Sequence, residues 1–309
     1  LLLVEFHLRN NNAKVALAAA QNAVAALPDS PDMLDALGRA QAASGETNQA
    51  VATYNKLAAM QPTSPQPQLR LAGVHLAAKN PEAAAQALRK ALELKPDLLA
   101  AQRGLVGLAM QAKKAPDAVT VSRDIQKQRP KEAAGYLLEG DIHAALKEWD
   151  AAATAYRTGL KQVASPELAI KLHTVLSAGG KKAEAEKLAA DWQKDNPKDP
   201  AMTFYLGDRA TAANDLPLAE KQYQQVLKLQ PNNAVVLNNL AWVTGKLGKE
   251  GAVAYAEKAT TLAPNQPAFM DTLAMLLSDK NEHAKALELQ KKVLALQPDA
   301  AVFKLNLAR

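Results

Sequence analysis

The chain has 309 residues, 48% of them hydrophobic, with alanine abundant and glycine (14 residues) and aromatics (4%) scarce. Such a composition favours helix, because alanine loses no side-chain entropy there and lets helices approach closely. The absence of cysteine excludes disulfides, thiolate metal sites and a cysteine nucleophile, while a net charge of +6 spread over 37 basic and 31 acidic residues is too dilute for a nucleic-acid-binding stripe.

The first segment, Leu1-Leu2-Leu3-Val4, is interrupted at once by Glu5 and His7, and no apolar run in the chain reaches the roughly 18 residues that span a bilayer. The chain opens inside a helical pattern without an initiator methionine and so reads as a piece of a longer protein. From there prolines punctuate it: Pro28, Pro62, Pro96, Pro130, Pro197, Pro231, Pro264 and Pro298, spaced by 34, 34, 34, 67, 34, 33 and 34 residues, with Ala164 where one proline is missing. When these prolines occupy position 32 of a 34-residue unit, position 20 is alanine in all nine copies, from Ala16, Ala50 and Ala84 through Ala118, Ala152 and Ala185 to Ala219, Ala252 and Ala286. Position 7 is leucine in eight of nine copies, Glu139 being the exception, and position 8 is mostly small, as at Gly38, Ala72, Gly140, Gly207, Ala241 and Ala274. Small residues at positions 8 and 20 are expected where the two antiparallel helices of one unit come closest. The neighbouring leucine fills the adjacent space, at roughly 1.5–3 kcal/mol of apolar transfer each.

Helix starts and stops follow the same period. Pro31, Pro65, Pro166, Pro200 and Pro267 fall at position 1 after Ser30, Ser64, Ser165, Asp199 and Gln266, which predicts first helices beginning at those prolines. Turns within units are expected near positions 14–18, at Gly45, Asn80-Pro81, Lys114-Ala115-Pro116, Gly179-Gly180, Asn214-Asp215 and Gly248. The units run approximately 1–30, 31–64, 65–98, 99–132, 133–165, 166–199, 200–233, 234–266 and 267–300, with a trailing helix 301–309, as a single array. The fifth and sixth are the expected weak link, since Glu139 replaces leucine, Ala164 replaces proline and His173 takes the small-residue position. Solenoids self-associate through unpaired end units, so a dimer through the ends is a further expectation.

This pattern resembles the tetratricopeptide repeat family over essentially the whole chain. The resemblance implies an all-α fold, a right-handed superhelical solenoid of about nine helix–turn–helix units, that works as a non-enzymatic protein-interaction scaffold. It also implies a concave wall made by positions 2, 5, 9, 12 and 13 of the first helices. Here those positions include Asp35, Arg39, Leu69, Leu76, Arg103, Met110, Leu137, Ile170, Thr174, Phe204, Asp208, Asn238, Trp242, Asp271 and Met275. Apolar and aromatic residues with a few charges suit a peptide or a partner helix. Phe204 and Trp242 are the candidate anchors, whereas Trp192 falls at a core position.

No catalytic or cofactor-binding constellation accompanies them. The five histidines lack paired metal-ligand spacing, and His7, His75 and His143 share position 11, where an inter-helix packing role is expected, so no metal is predicted. Gly179-Gly180-Lys181-Lys182 sits at a turn within a unit, where glycine is needed for the backbone and no phosphate loop is implied. Asn238-Asn239 is similar to the asparagines by which some chaperone-binding members grip a terminal carboxylate, but the accompanying Lys and Arg are missing. A narrower resemblance is carried by Leu237-Asn238-Asn239-Leu240-Ala241-Trp242, by Ala254-Tyr255-Ala256-Glu257-Lys258-Ala259 and by Leu262-Ala263-Pro264-Asn265. These look like the repeat lipoproteins of bacterial exosortase (PEP-CTERM) systems that accompany exopolysaccharide loci, although Met275 stands where those proteins tend to have Trp. That resemblance implies an exported scaffold in the bacterial periplasm or cell envelope, with a polysaccharide-handling module as the alternative.

Overall fold

The computed structural model describes residues 1–307, and every regular element among them is an α-helix. Helices α1 (Leu2–Arg9), α2 (Ala13–Ala26), α3 (Pro31–Ala43), α4 (Thr47–Met60), α5 (Gln66–Ala77), α6 (Pro81–Leu94), α7 (Leu99–Gln111), α8 (Ala115–Gln128), α9 (Ala134–Ala145) and α10 (Trp149–Gln162) form five antiparallel pairs. The second half repeats the plan with α11 (Pro166–Ala178), α12 (Lys182–Asp195), α13 (Ala201–Ala212), α14 (Leu216–Leu229), α15 (Ala234–Lys246), α16 (Ala252–Leu262), α17 (Pro267–Asp279), α18 (His283–Leu296) and an unpaired α19 (Ala301–Leu307). Residues 308–309 of the expected trailing helix lie outside the described residues. None of these helices is long and apolar enough to cross a membrane. The chain divides into two compact units, Leu1–Ala164 and Ser165–Arg309, and the division falls where the period's proline gives way to Ala164.

Each turn within a repeat is closed in the same way. The N–H of position 16 donates to the carbonyl of position 11, from Asn12 to His7, Glu46 to Gln41 and Asn80 to His75 through to Glu282 to Leu277, at 2.8–3.0 Å in all nine repeats. This is the Schellman closure, and it needs a left-handed residue at position 15. That residue is Asn11, Gly45, Lys79, Lys113, Lys147, Gly180, Asn214, Gly248 or Asn281, with φ between 56° and 80°. In three repeats a lysine carries the turn: Lys79 directly before Asn80-Pro81, Lys113 directly before Lys114-Ala115-Pro116, and Lys147 where the sequence has no Gly, Asn or Pro signal. The side chains of Asn80, Ser165, Asp215 and Asn233 cap the helices that follow them, each accepting from the N–H three residues on. Pro31, Pro166 and Pro267 are the first helical residues, as expected, whereas Pro65 and Pro200 stand one residue before their helices.

All nine position-20 alanines are buried at the crossing of the two helices of a repeat. Opposite them, positions 8 and 24 are matched in size. Glycine at position 8 faces tyrosine at position 24, as Gly38 with Tyr54, Gly140 with Tyr156 and Gly207 with Tyr223, and a methyl group added to any of these glycines would run into the tyrosine ring. Ala72 with Leu88 keeps that order, whereas Val106 with Ser122 and His173 with Ala189 reverse the sizes. Leucine at position 7 is buried at Leu71, Leu172, Leu240 and Leu273, but Leu3 stays largely exposed. Glu139, which replaces leucine there, is only 8% exposed and accepts hydrogen bonds from Arg123 Nε at 2.8 Å and Gln126 Nε2 at 2.6 Å, so the buried carboxylate is paired.

Candidate partner-binding wall

First helices of successive repeats touch one another: α1 meets α3 in the first compact unit, and α11 meets α13, α15 meets α17 and α17 meets α19 in the second. Packing on this side is closer than among the second helices of the described repeats, and the predicted wall positions lie on these first helices.

In the first unit two of the three predicted charged residues, Asp35 and Arg39, are held within the protein. Asp35 receives Arg70 in a two-pronged contact (Nε to Oδ1 2.8 Å, Nη2 to Oδ2 3.2 Å), and Arg39 Nε lies 3.1 Å from Asp35 Oδ2. Arg39 also pairs with Glu5, so a row of alternating charge links α1, α3 and α5. Its hydrogen bond from Arg39 holds the Glu5 carboxyl below the usual carboxylate range, and the same bond raises the Arg39 pKa. Leu69 and Met110 pack partly against the core, Leu137 is half-buried, and Leu76 and Arg103 are exposed.

The wall of the second unit contains a hollow of about 340 Å³. Asp208, Thr211 and Ala212 of α13, Tyr223 of α14, Asn238, Asn239 and Trp242 of α15 and Thr272 of α17 line it, so three of the predicted wall residues converge there. Trp242 is 39% exposed, with Lys246 Nζ 5.9 Å from its ring centre. Tyr223 donates its hydroxyl proton to Asp208 Oδ1 at 2.7 Å, and burial, reinforced by Asp208, pushes its pKa up to about 12. The tyrosine thus stays a neutral donor that fixes the carboxylate. Asn239 Nδ2 is 3.4 Å from the same oxygen. Asn238 Oδ1 is shielded from water and has no protein partner.

The other predicted residues of this unit have different surroundings. Phe204 is half-buried, its ring 6.1 Å from that of Tyr223 and packed on the core below the wall. Asp271 is engaged by Gln290 Nε2 at 2.6 Å and by Asn306 Nδ2 at 3.1 and 3.0 Å. Ile170 and Met275 are half-buried and Thr174 is exposed. Trp192 is buried, and its Nε1 donates to Asp199 Oδ2 at 2.9 Å.

Position 6 is absent from the sequence-predicted wall, yet in four repeats it reaches back to the preceding one: Arg70 to Asp35, Tyr205 to His173 and Thr174, Asn239 to Asp208, and Asn306 to Asp271. The Asp35–Arg70 and Asp271–Asn306 separations are both 35 residues, and that shared spacing is the signal that would have found them. A larger hollow of about 820 Å³ lies on α6, α7 and α8, between Glu82, Arg89, Leu108 and Asp117, and contains none of the predicted wall residues. Of the position-11 histidines, His7 stands edge-on to Phe6 and His75 is half-buried, but His143 is bonded to Glu148 through Nδ1 at 2.6 Å, a polar role that packing alone did not anticipate. No cluster of three or more metal-ligating side chains occurs among the described residues.

A tetratricopeptide repeat family model matches residues 1–65, 36–98, 104–167 and 174–234. No curated protein matches the chain. Among solved structures it is similar to the crystal structure of an APC/C hetero-tetramer, Cut9-Hcn1, at 18% identity over 96% of this chain and with a TM-score of 0.44; the chain spans 52% of that protein's length. It is also similar to two crystal structures of MamA, both at 20% identity with a TM-score of 0.43, over 55% and 52% of this chain and 93% and 94% of theirs. The family matches extend across well over half of the sequence and follow the helix pairs described above, and on that evidence the chain belongs to the tetratricopeptide repeat family.

Proposed function

We propose that this chain is an interaction scaffold that holds a segment of a protein partner against its first-helix wall, with the Trp242 hollow as the anchor. The family generally mediates protein–protein interaction. The observation that carries the reading is the convergence of an exposed tryptophan, a fixed carboxylate and two asparagines on one hollow, since aromatic anchors in concave pockets dominate interface energetics. The residues of the first-unit wall that pair with one another serve the spacing of repeats instead.

The setting we propose is the bacterial envelope, in exopolysaccharide or surface-protein export. Its support is the likeness of Leu237–Trp242 and Ala254–Ala259 to the repeat lipoproteins of exosortase systems. An exposed indole beside hydroxyls also favours a second reading, in which Trp242 stacks on a sugar ring. One pull-down separates the two. The chain and its Trp242→Ala variant, matched for helicity, are offered the envelope fraction of the source cell and its purified polysaccharide. Retention of a protein by the parent chain alone supports the scaffold, and retention of polysaccharide by the parent chain alone supports the second reading. Equal retention by both forms overturns the anchor.

A further inference from the structure

We infer that the Trp242 hollow selects a basic side chain, so that the partner segment presents a lysine or arginine whose charged end meets Asp208 and whose stem lies along the indole. This deepens the scaffold reading and rests on it. The hollow's hydroxyls have spent their protons inside the protein. Tyr223 donates to Asp208, Thr272 donates to the Ala268 carbonyl at 3.0 Å, and Thr211 donates to the Gly207 carbonyl at 2.9 Å or shares its proton with Tyr223 at 3.1 Å. What these three groups still offer a visitor is lone pairs. Asp208 adds a full negative charge. Its Oδ1 is bonded to Tyr223 and approached by Asn239, whereas Oδ2 has no bonding partner among the described residues.

The Asp208 carboxylate turns away carboxylates and phosphates and favours a group that brings several donors, and the lone pairs of the three hydroxyls add acceptors around it. Ammonium brings three and guanidinium five. The tryptophan completes the match, because an indole face attracts cations and covers the aliphatic stem of Lys or Arg. Lys246 lies over the ring with its Nζ 5.9 Å from the centre, so the visiting stem would run along the part of the indole that Lys246 leaves uncovered. The hollow's volume suits one long side chain, so the rest of the partner would run over the neighbouring wall.

The test begins by panning a displayed library of random twelve-residue segments on the intact chain, with counter-selection on Trp242→Ala. Selected peptides are then synthesised with each basic residue replaced by norleucine, which keeps the stem and removes the charge. The expected result is a Lys or Arg at one fixed place in the selected segments, with affinity falling about tenfold or more on its replacement and falling again with added salt. Asp208→Asn, which can still accept from Tyr223, should produce a similar loss and make norleucine nearly neutral. If that variant misfolds, the norleucine series and the salt dependence on the unaltered chain decide the matter. Segments that bind in a Trp242-dependent way but lack a fixed basic residue, or that ignore its replacement, overturn the inference and leave the scaffold reading standing. If no segment binds in a Trp242-dependent way, the anchor itself is overturned, and the inference with it.

Discussion

His173 occupies a position that most repeats give to glycine or alanine, and the fold accommodates it as a neutral ring. It is 5% exposed, stands edge-on to Tyr205 with ring centres 5.2 Å apart, and has Nδ1 3.0 Å from the Tyr205 hydroxyl. Burial first, and then the charge of Arg209, push its pKa down from 6.5 to about 4. Because the folded value lies below the unfolded one, the unfolded chain takes up the proton first as the solution is acidified. The contribution of the neutral ring is therefore complete above about pH 6.5 and lost between there and about pH 4. By linkage that loss reaches at most about 3 kcal/mol. The thermal midpoint of the parent chain should accordingly fall more steeply across that window than the midpoint of His173→Gln. Parallel pH profiles would show that the ring titrates as if exposed. At this scale the sequence made His173 visible as an oddity, and Ala189 opposite it explains how the ring fits. The same size matching joins Gly207 to Tyr223, but positions 8 and 24 were read separately, so their pairing emerged only when the helices were seen to cross.

Among the elements, the turn within each repeat is the most regular part of the chain and the least faithful to residue preference. Nine left-handed residues at position 15 support nine identical closures, yet Lys79, Lys113 and Lys147 occupy a conformation that costs a side chain with a Cβ about 1–2 kcal/mol. Lys113→Gly removes that cost and adds back part of it as unfolded-chain entropy, so a net gain of about 0.5–1 kcal/mol is expected in the denaturant midpoint. Gly45→Ala should shift the midpoint the other way. Nothing lies within 4 Å of the Cβ it would add, so the change reports the backbone alone. Equal midpoints for both variants and the parent would mean that the turns are not held left-handed in solution. Turn location was legible from Gly, Asn and Pro, whereas the Lys79 and Lys113 turns lie one residue before their signals and the Lys147 turn has none, because lysine carries no turn signal and takes the conformation only when the helices on both sides demand it. Of the predicted wall residues, Asp208, Asn238 and Trp242 share a hollow. Asp35 and Asp271 looked equally available, but their partners, Arg70 and Asn306, belong to the next repeat and sit at a position the family pattern does not emphasise.

At the scale of the whole molecule, repeat proteins gain stability approximately as a sum of repeat and neighbour terms, so a stretch of a few intact repeats should fold without the rest. The first unit has its own buried clusters around Val4 and Ala40, Tyr54 and Leu71, and Val106 and Ile142. The second has others around Tyr223 and Leu240, Leu237 and Phe269, and Met270 and Phe303. Residues 1–164 and 165–309, expressed separately, should therefore each give the circular dichroism of a helical protein and melt cooperatively. Moving the cut to follow residue 114 would separate α7 from the α8 that completes its repeat, and the resulting pieces should lose helicity or aggregate. The 165–309 piece carries every residue of the Trp242 hollow, so its affinity for segments selected on the full chain should match the parent's within about threefold, while the 1–164 piece should bind none of them. A folded 165–309 piece that had lost the segments would mean that the wall of the first unit contributes to binding, and would return Arg103 and Leu76 to the list of contact residues.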